Sequence, residues 1–162
     1  MHPPAVVERK EATTVTSQRP QWEPRNPEYD KDVREAFAAQ PAMALIGATI
    51  EKVEPGYVEV HLPCRPEIMS HYHEFVHGGT LGMLADSAMG FAALSMIPQG
   101  GEGVTAEYKI NLLAPARGTH VIGRGTCLKA GRVLVCEGEL FAVADGKETL
   151  VATALGTFVQ TV

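Results

Sequence analysis

Disulfide chemistry is the first thing this sequence has too little of. Its three cysteines, Cys64, Cys127 and Cys136, are odd in number, widely spaced and outside any CxxC pair. They offer neither a disulfide framework nor a zinc pattern, and they suit a reducing cytoplasm. Positive charge is also short: 14 Lys and Arg stand against 19 Asp and Glu, a net charge of −5. That argues against non-specific binding of nucleic acid, while a local basic patch for an anionic ligand stays open. Residues 1–30 lack the apolar run of a signal peptide. No internal repeat is present. The segment that most resembles a membrane span, residues 80–97, holds Asp86 and lies among six strand-like segments, so it reads as a core helix.

What is present is an ordinary globule. At 162 residues, 45% hydrophobic and 20% charged, the chain is long enough for one domain with its own core. Residues 1–25 are rich in proline and charge and read as a flexible arm, with Trp22 as the one residue fit to dock. The remainder, 26–162, reads as a single domain. Asn26-Pro27-Glu28 signals a helix start, and Tyr29, Val33, Ala36 and Phe37 recur at helical spacing. This predicts a helix over about 27–40, stopped by Pro41.

The period then changes to two. "ALIGATIEKV" and "YVEVHLP" flank Glu54-Pro55-Gly56 and predict a hairpin, with Val58, Val60 and Leu62 on its buried face. Residues 64–77 read as a loop. After the long helix, "VTAEYKINLL" alternates, placing Val104, Ala106, Tyr108, Ile110 and Leu112 on one buried face. Three more strands follow at about 118–129, 132–144 and 149–160, joined by tight turns that imply antiparallel neighbours. Helix, two strands, long helix and four strands make an α+β domain. A helix apolar nearly all round must be enclosed, and a curved antiparallel sheet can do this. Gly123, Gly125, Gly138 and Gly156 allow bending and close approach.

One charge in the long helix calls for an account. Asp86 is costly among Met, Leu, Ala and Phe unless something compensates it. His77-Gly78-Gly79 stands at the helix start, where unpaired amides and the positive dipole end meet. Glycines there let a ligand oxygen reach the backbone, the geometry of an oxyanion hole. A plain flexible turn and a structural acid bonded to Ser87, an amide or a cation are the competing readings. Gly78 and Asp86 are eight residues apart, about 12 Å along a helix axis, too far to serve one small carbonyl from one chain. Two copies of the helix about a two-fold axis would bring one copy's Gly78 amide to the other's Asp86.

"HGGTLGMLADSAMGFAA" resembles the central helix of hotdog-fold acyl-CoA thioesterases of the phenylacetate-degradation and hydroxybenzoyl-CoA group. "VTAEYKINLLAPARG" is similar to that group's third strand and following turn. The likeness runs from about residue 42 to 159. It implies a hotdog fold: a long helix wrapped by about six antiparallel strands, here with an extra N-terminal helix. It also implies active sites shared across a homodimer that can pair into a tetramer, a dimer of dimers. By this resemblance Gly78 polarises the thioester carbonyl, Asp86 attacks or activates water, and His77 helps place the thioester. No metal or other cofactor is implied, coenzyme A arriving as part of the substrate. His71 stands where the family often has Asn or Gln, and Gly90 where some members hold water with Ser or Thr. Thr105 is the candidate to take that role, and Gly79 joins the substrate-binding set.

Coenzyme A carries several phosphate charges, so Arg117, Lys129 and Arg132, at strand ends, are the candidates to meet them. Solvated turn residues are the alternative reading of each. Met69, Tyr72, Phe75, Met83 and Met89 suggest an apolar pocket for an aromatic or medium-chain acyl group, with plain core as the competing reading of Met83 and Met89. His71, His73 and His77 are close enough to raise zinc, but no further ligand set accompanies them. The expectation is therefore a cytoplasmic enzyme hydrolysing an acyl-CoA to free acid and CoA, with no membrane or nucleic-acid partner. The alternatives are an enoyl-CoA hydratase or dehydratase on the same fold, whose Asp-x4-His pattern is not seen here, and a non-catalytic acyl-CoA-binding protein.

Overall fold

Asn26 shapes the entry to the first helix in a way the sequence only half announces. In the computed structural model, which describes residues 19–70 and 74–161, helix α1 spans Tyr29–Ala38. Asn26 is buried and lies ahead of it, its side chain accepting from the Glu28 amide at 2.9 Å and donating to Asp32 at 2.7 Å. The helix therefore starts two residues later than the Asn-Pro signal predicts, because Asn26 closes a turn rather than a cap.

Pro41 ends nothing further than α1. It opens a second short helix, α2 (Pro41–Ile46), which closes at Gly47 with a left-handed φ of 72°. Pro at the first helical position and Gly just past the end are the usual boundary pair. Residues 44–48 are thus not strand, contrary to the sequence expectation. Met43 and Ile46, three apart, are buried there.

The sheet follows: β1 (Thr49–Glu54), β2 (Tyr57–Pro63), then a 3-10 turn at Pro66–Ile68 and the long helix α3 (Gly78–Leu94). After it come β3 (Gly103–Leu112), β4 (His120–Lys129), β5 (Val133–Ala144) and β6 (Lys147–Gln160). All six strands form one antiparallel sheet ordered β1-β2-β4-β5-β6-β3, and α3 packs on five of them. This is the hotdog architecture expected of the sequence. Val58, Val60 and Leu62 are fully buried, as their alternation predicts.

Gly125 marks the tightest wrap. A Cβ built there would lie 2.1 Å from the Ala88 carbonyl oxygen, so only glycine lets β4 touch the backbone of α3. The cysteines are all free, Cys127 and Cys136 sitting opposite each other on β4 and β5. Trp22 docks beside them: its indole N–H donates to the Cys127 carbonyl at 2.9 Å, and its ring covers Gly56 at the β1–β2 turn.

β3 corrects another expectation. It is a sheet edge, and in the single chain Val104, Tyr108 and Leu112 are 54%, 38% and 54% exposed. Its pairing with β6 slips between Thr105 and Glu107, making Ala106 an extra residue. Thr105 and Phe158 pair on the helix side, as do Tyr108 with Gly156 and Leu112 with Ala152. Val104 and Ala106 consequently belong to the opposite face from Tyr108, Ile110 and Leu112. Among the described residues, no helix is long and apolar enough to cross a membrane.

Candidate active site

The first turn of α3 hands its amides out one by one. His77 is the N-cap, with extended backbone, and its Nδ1 accepts from the Gly79 N–H at 3.0 Å. Its carbonyl takes the N–H of Thr80 at 2.9 Å and of Leu81 at 3.1 Å. The Gly78 amide is left with no partner among the described residues. No acid stands in that first turn to neutralise the positive helix end. An accepting Nδ1 also fixes the neutral tautomer, with the proton on Nε2 of His77.

Two turns further along, Asp86 is half-buried and faces β3. Thr105 Oγ1 donates to its Oδ1 at 2.8 Å, and Oδ2 takes no hydrogen bond among the described residues. The Ala106 bulge is what lets Thr105 and Tyr108 both face α3: a Cβ at Gly82 would lie 3.1 Å from the Tyr108 hydroxyl. Thus Asp86 is held by a hydroxyl, not by Ser87 or a cation. One carboxylate oxygen is oriented and the other is open.

Asp86 lines a cavity of about 890 Å³, within the usual range of small-molecule sites. Met83, Asp86, Gly90 and Phe91 of α3 form one wall, and Thr105 and Phe158 border it. The opposite wall is α1 and α2, with Ala36, Ala39 and Met43. Sequence reading missed this second wall; its only trace was the run of small residues Ala36, Ala39 and Ala42 at helical spacing. Met83 lines the cavity, while Met89 is fully buried core.

The remaining candidates separate. Arg117 lies near the N-terminal end of α3, its guanidinium 5.6 Å from the Phe75 ring, and Ala116 next to it accepts from the Val76 amide. Lys129 and Arg132 flank the β4–β5 turn, where the Arg132 carbonyl accepts from the Gln160 amide at the end of β6, opposite the start of β3. His71, Tyr72 and His73 lie outside the described residues. Among the described residues no three His, Cys, Asp or Glu side chains are grouped as a metal would require.

The densest ion network is elsewhere, on β2, β4 and β6. Glu59 accepts from Arg124 at 3.1 Å and from the Tyr57 hydroxyl at 3.1 Å, with His61 Nε2 at 3.0 Å. Arg124 reaches Glu148 through both terminal nitrogens, at 2.8 and 2.7 Å. Burial alone would raise the Glu59 pKa, but these hydrogen bonds hold it below the usual carboxylate value. Burial next to Glu59 pushes the Tyr57 hydroxyl up to about 12. Such charge satisfaction is structural.

Comparison with known proteins gives the family. Residues 73–148 match the model of the thioesterase superfamily. An inferred esterase of Saccharolobus solfataricus is 30% identical over 129 residues, 79% of this chain and 83% of its own. A thioesterase family protein from Silicibacter pomeroyi is 36% identical, covering 83% of this chain and 98% of that one at a TM-score of 0.80. The PaaI protein of the E. coli phenylacetic acid degradation operon shares the fold at a TM-score of 0.74 and 20% identity, over 85% and 96% of the two chains. An unpaired amide at the head of a wrapped helix, a carboxylate two turns on and relatives of this likeness lead to one conclusion: the chain belongs to the thioesterase superfamily.

Proposed function

We propose that the protein is an acyl-CoA thioesterase that works as a two-fold dimer, with each site drawing on both copies. The observation that carries the reading is the pairing on α3 of a free Gly78 amide with the oriented, half-open carboxylate of Asp86. Eight residues along one helix separate them, about 12 Å, so a second copy must supply one of the two. The exposed edge of β3 supports that association: a ten-residue strand paired with β6 on one side only, with apolar side chains on both faces, is a template for another strand. A symmetric pair about β3 would run the two strands antiparallel and bring unlike ends of α3 together. Two such dimers can form a tetramer.

In the reaction, the thioester carbonyl oxygen sits on the Gly78 N–H of the partner subunit, with the dipole of that helix behind it. Water is held by Asp86 Oδ2 and loses its proton to the carboxylate as its oxygen bonds to the carbonyl carbon. The oxyanion that forms is what the amide stabilises, a donor typically worth about 2.7–4 kcal/mol of barrier. Collapse breaks the C–S bond, and the proton held by Asp86 passes to the departing sulfur. Free acid and CoA leave. Direct attack by Asp86, through an anhydride that water then opens, uses the same atoms. Thr105 keeps Oδ1 occupied, so that Oδ2 does the work in either route. His77 sets the head of the helix, Gly79 keeps its approach clear, and His71 stands close in sequence to add a polar contact. Arg117, Lys129 and Arg132 are assigned to the CoA phosphates. The scheme calls for no metal or prosthetic group, and a cytoplasmic setting supplies acyl-CoA.

Thiol release from a panel of acyl-CoAs tests the reading. Turnover is expected for at least one member and its loss in Asp86→Asn. No thiol from any member, or full turnover in that variant, would end the proposal.

A further inference from the structure

The cavity beside Asp86 has a direction and a sign. It follows one stripe of α3 through Asp86, Gly90 and Ala93, residues three or four apart that share a face, and continues past the helix end to Ile97. From Asp86 to Ala93 the helical part of the run is about 10 Å along the axis. Apolar residues such as Met83, Phe91 and Phe158 line it, and at Gly90 no side chain enters it, a Cβ there coming to 3.4 Å from Phe158. Among the described residues no lysine, arginine or histidine lines it, whereas Asp32, Glu35 and Glu102 stand in its wall with Asp86. Asp32 is tied to the Asn26 amide at 2.7 Å. Glu35 is 4.0 Å from Lys31 Nζ, both side chains being well exposed, so that lysine brings little fixed charge to the interior.

We infer that this cavity receives the acyl part of the substrate, that Gly90 sets its usable width, and that its acids select neutral apolar acyl groups against those ending in a carboxylate. The inference rests on the thioesterase reading and adds the substrate class to it. An anionic chain end would meet the half-buried Asp32 and Asp86 and the exposed Glu35 and Glu102, all of like charge, with no cation among the described lining residues to answer them. The same argument sends the CoA phosphates out of the other side of the site, away from this wall. α1 and α2 thereby become specificity elements, although they carry none of the proposed chemistry.

The test is a matched pair of substrates of similar length, hexanoyl-CoA and glutaryl-CoA, with butyryl-CoA and decanoyl-CoA to probe width and reach. In the wild type, kcat/KM for hexanoyl-CoA is expected to exceed that for glutaryl-CoA by about tenfold or more. Glu35→Gln combined with Glu102→Gln should narrow that ratio severalfold. Gly90→Leu should lower kcat/KM for decanoyl-CoA at least tenfold more than for butyryl-CoA. Equal wild-type rates on the matched pair, or a ratio unmoved in the Glu35→Gln/Glu102→Gln protein, would overturn this inference and leave the thioesterase reading standing. Thiol release from none of the four substrates would take both down. The wild-type ratio needs no variant to fold, so the outcome is decisive even if a substituted protein is unstable.

Discussion

Nδ1 of His77 accepts the Gly79 amide at 3.0 Å and, by doing so, singles out the amide of Gly78. The cap serves the second amide of α3, and the first one, at the helix head, has no partner among the described residues. Replacing His77 with Ala removes the cap, at a typical cost of about 1 kcal/mol, and should lower the melting temperature by about 2–4 °C. Asn can cap in the same position, so His77→Asn should recover most of that loss. Thiol release is expected to follow the same order, with Ala below Asn below wild type.

The Thr105 contact to Asp86 gives a second expectation. Thr105→Val keeps the shape and removes the hydrogen bond to a charged oxygen, an interaction worth about 1.5–3 kcal/mol. Turnover should fall by about 10- to 100-fold. Asp86→Asn should fall further, by about 10²–10⁴, the usual worth of a positioned base. Circular dichroism should show both proteins folded, and equal activity in Thr105→Val would mean the hydroxyl orients nothing.

Two glycines should answer oppositely to a single methyl group. At Gly125 a Cβ would collide with the Ala88 carbonyl, so Gly125→Ala should cost about 2–3 kcal/mol and several degrees of melting temperature. At Gly90 a Cβ meets only Phe158 at contact distance, and alanine in a helix is better than glycine by up to about 1 kcal/mol. Gly90→Ala should therefore melt no lower than wild type. Thermal melts of the pair check both signs.

The β3 edge can be tested by charge. Val104 and Leu113 are 54% and 55% exposed in the single chain. Lysine at both should repel a second copy without entering the core. Light scattering should then report the mass of one chain, and thiol release should be lost with it. A monomer that keeps full activity would show that one chain holds a complete site.

Acid should reveal the Glu59 network. Hydrogen bonds from His61, Arg124 and Tyr57 outweigh burial and hold the Glu59 pKa below 4.5 in the folded state. A depressed folded pKa stabilises above the unfolded value and loses that contribution as pH falls through the folded one. The stability gap between wild type and Glu59→Gln should thus be full above about pH 5 and shrink below it. Urea melts across pH 3–7 would show this, and a gap independent of pH would contradict it.

How much of this was legible beforehand depends on which residues carried the signal. Alternation in Val58-Glu59-Val60-His61-Leu62 and the apolar run after Gly78 read correctly, because burial on one face or all round leaves a period in the chain. The His77-Gly78-Gly79 and Asp86 positions stood out as a polar exception inside that run. The stretch 41–48 did not, because apolar Ala-Leu-Ile suits strand and helix alike, and only Pro41 and Gly47 mark the boundaries. The face of β3 was misread at Ala106, where one inserted residue reverses the alternation and leaves no mark in composition. The second cavity wall was silent for another reason: alanines facing empty space look like alanines anywhere on a helix.

Trp22 is the only tryptophan in the chain, and its indole closes the seam between the β1–β2 turn and the end of β4. Ultraviolet emission from this protein is consequently a signal from one location. Release of the leading segment from the sheet would expose the ring to solvent and move its spectrum to longer wavelength. The molecule carries its own reporter for that event, and no dye need be attached to watch it.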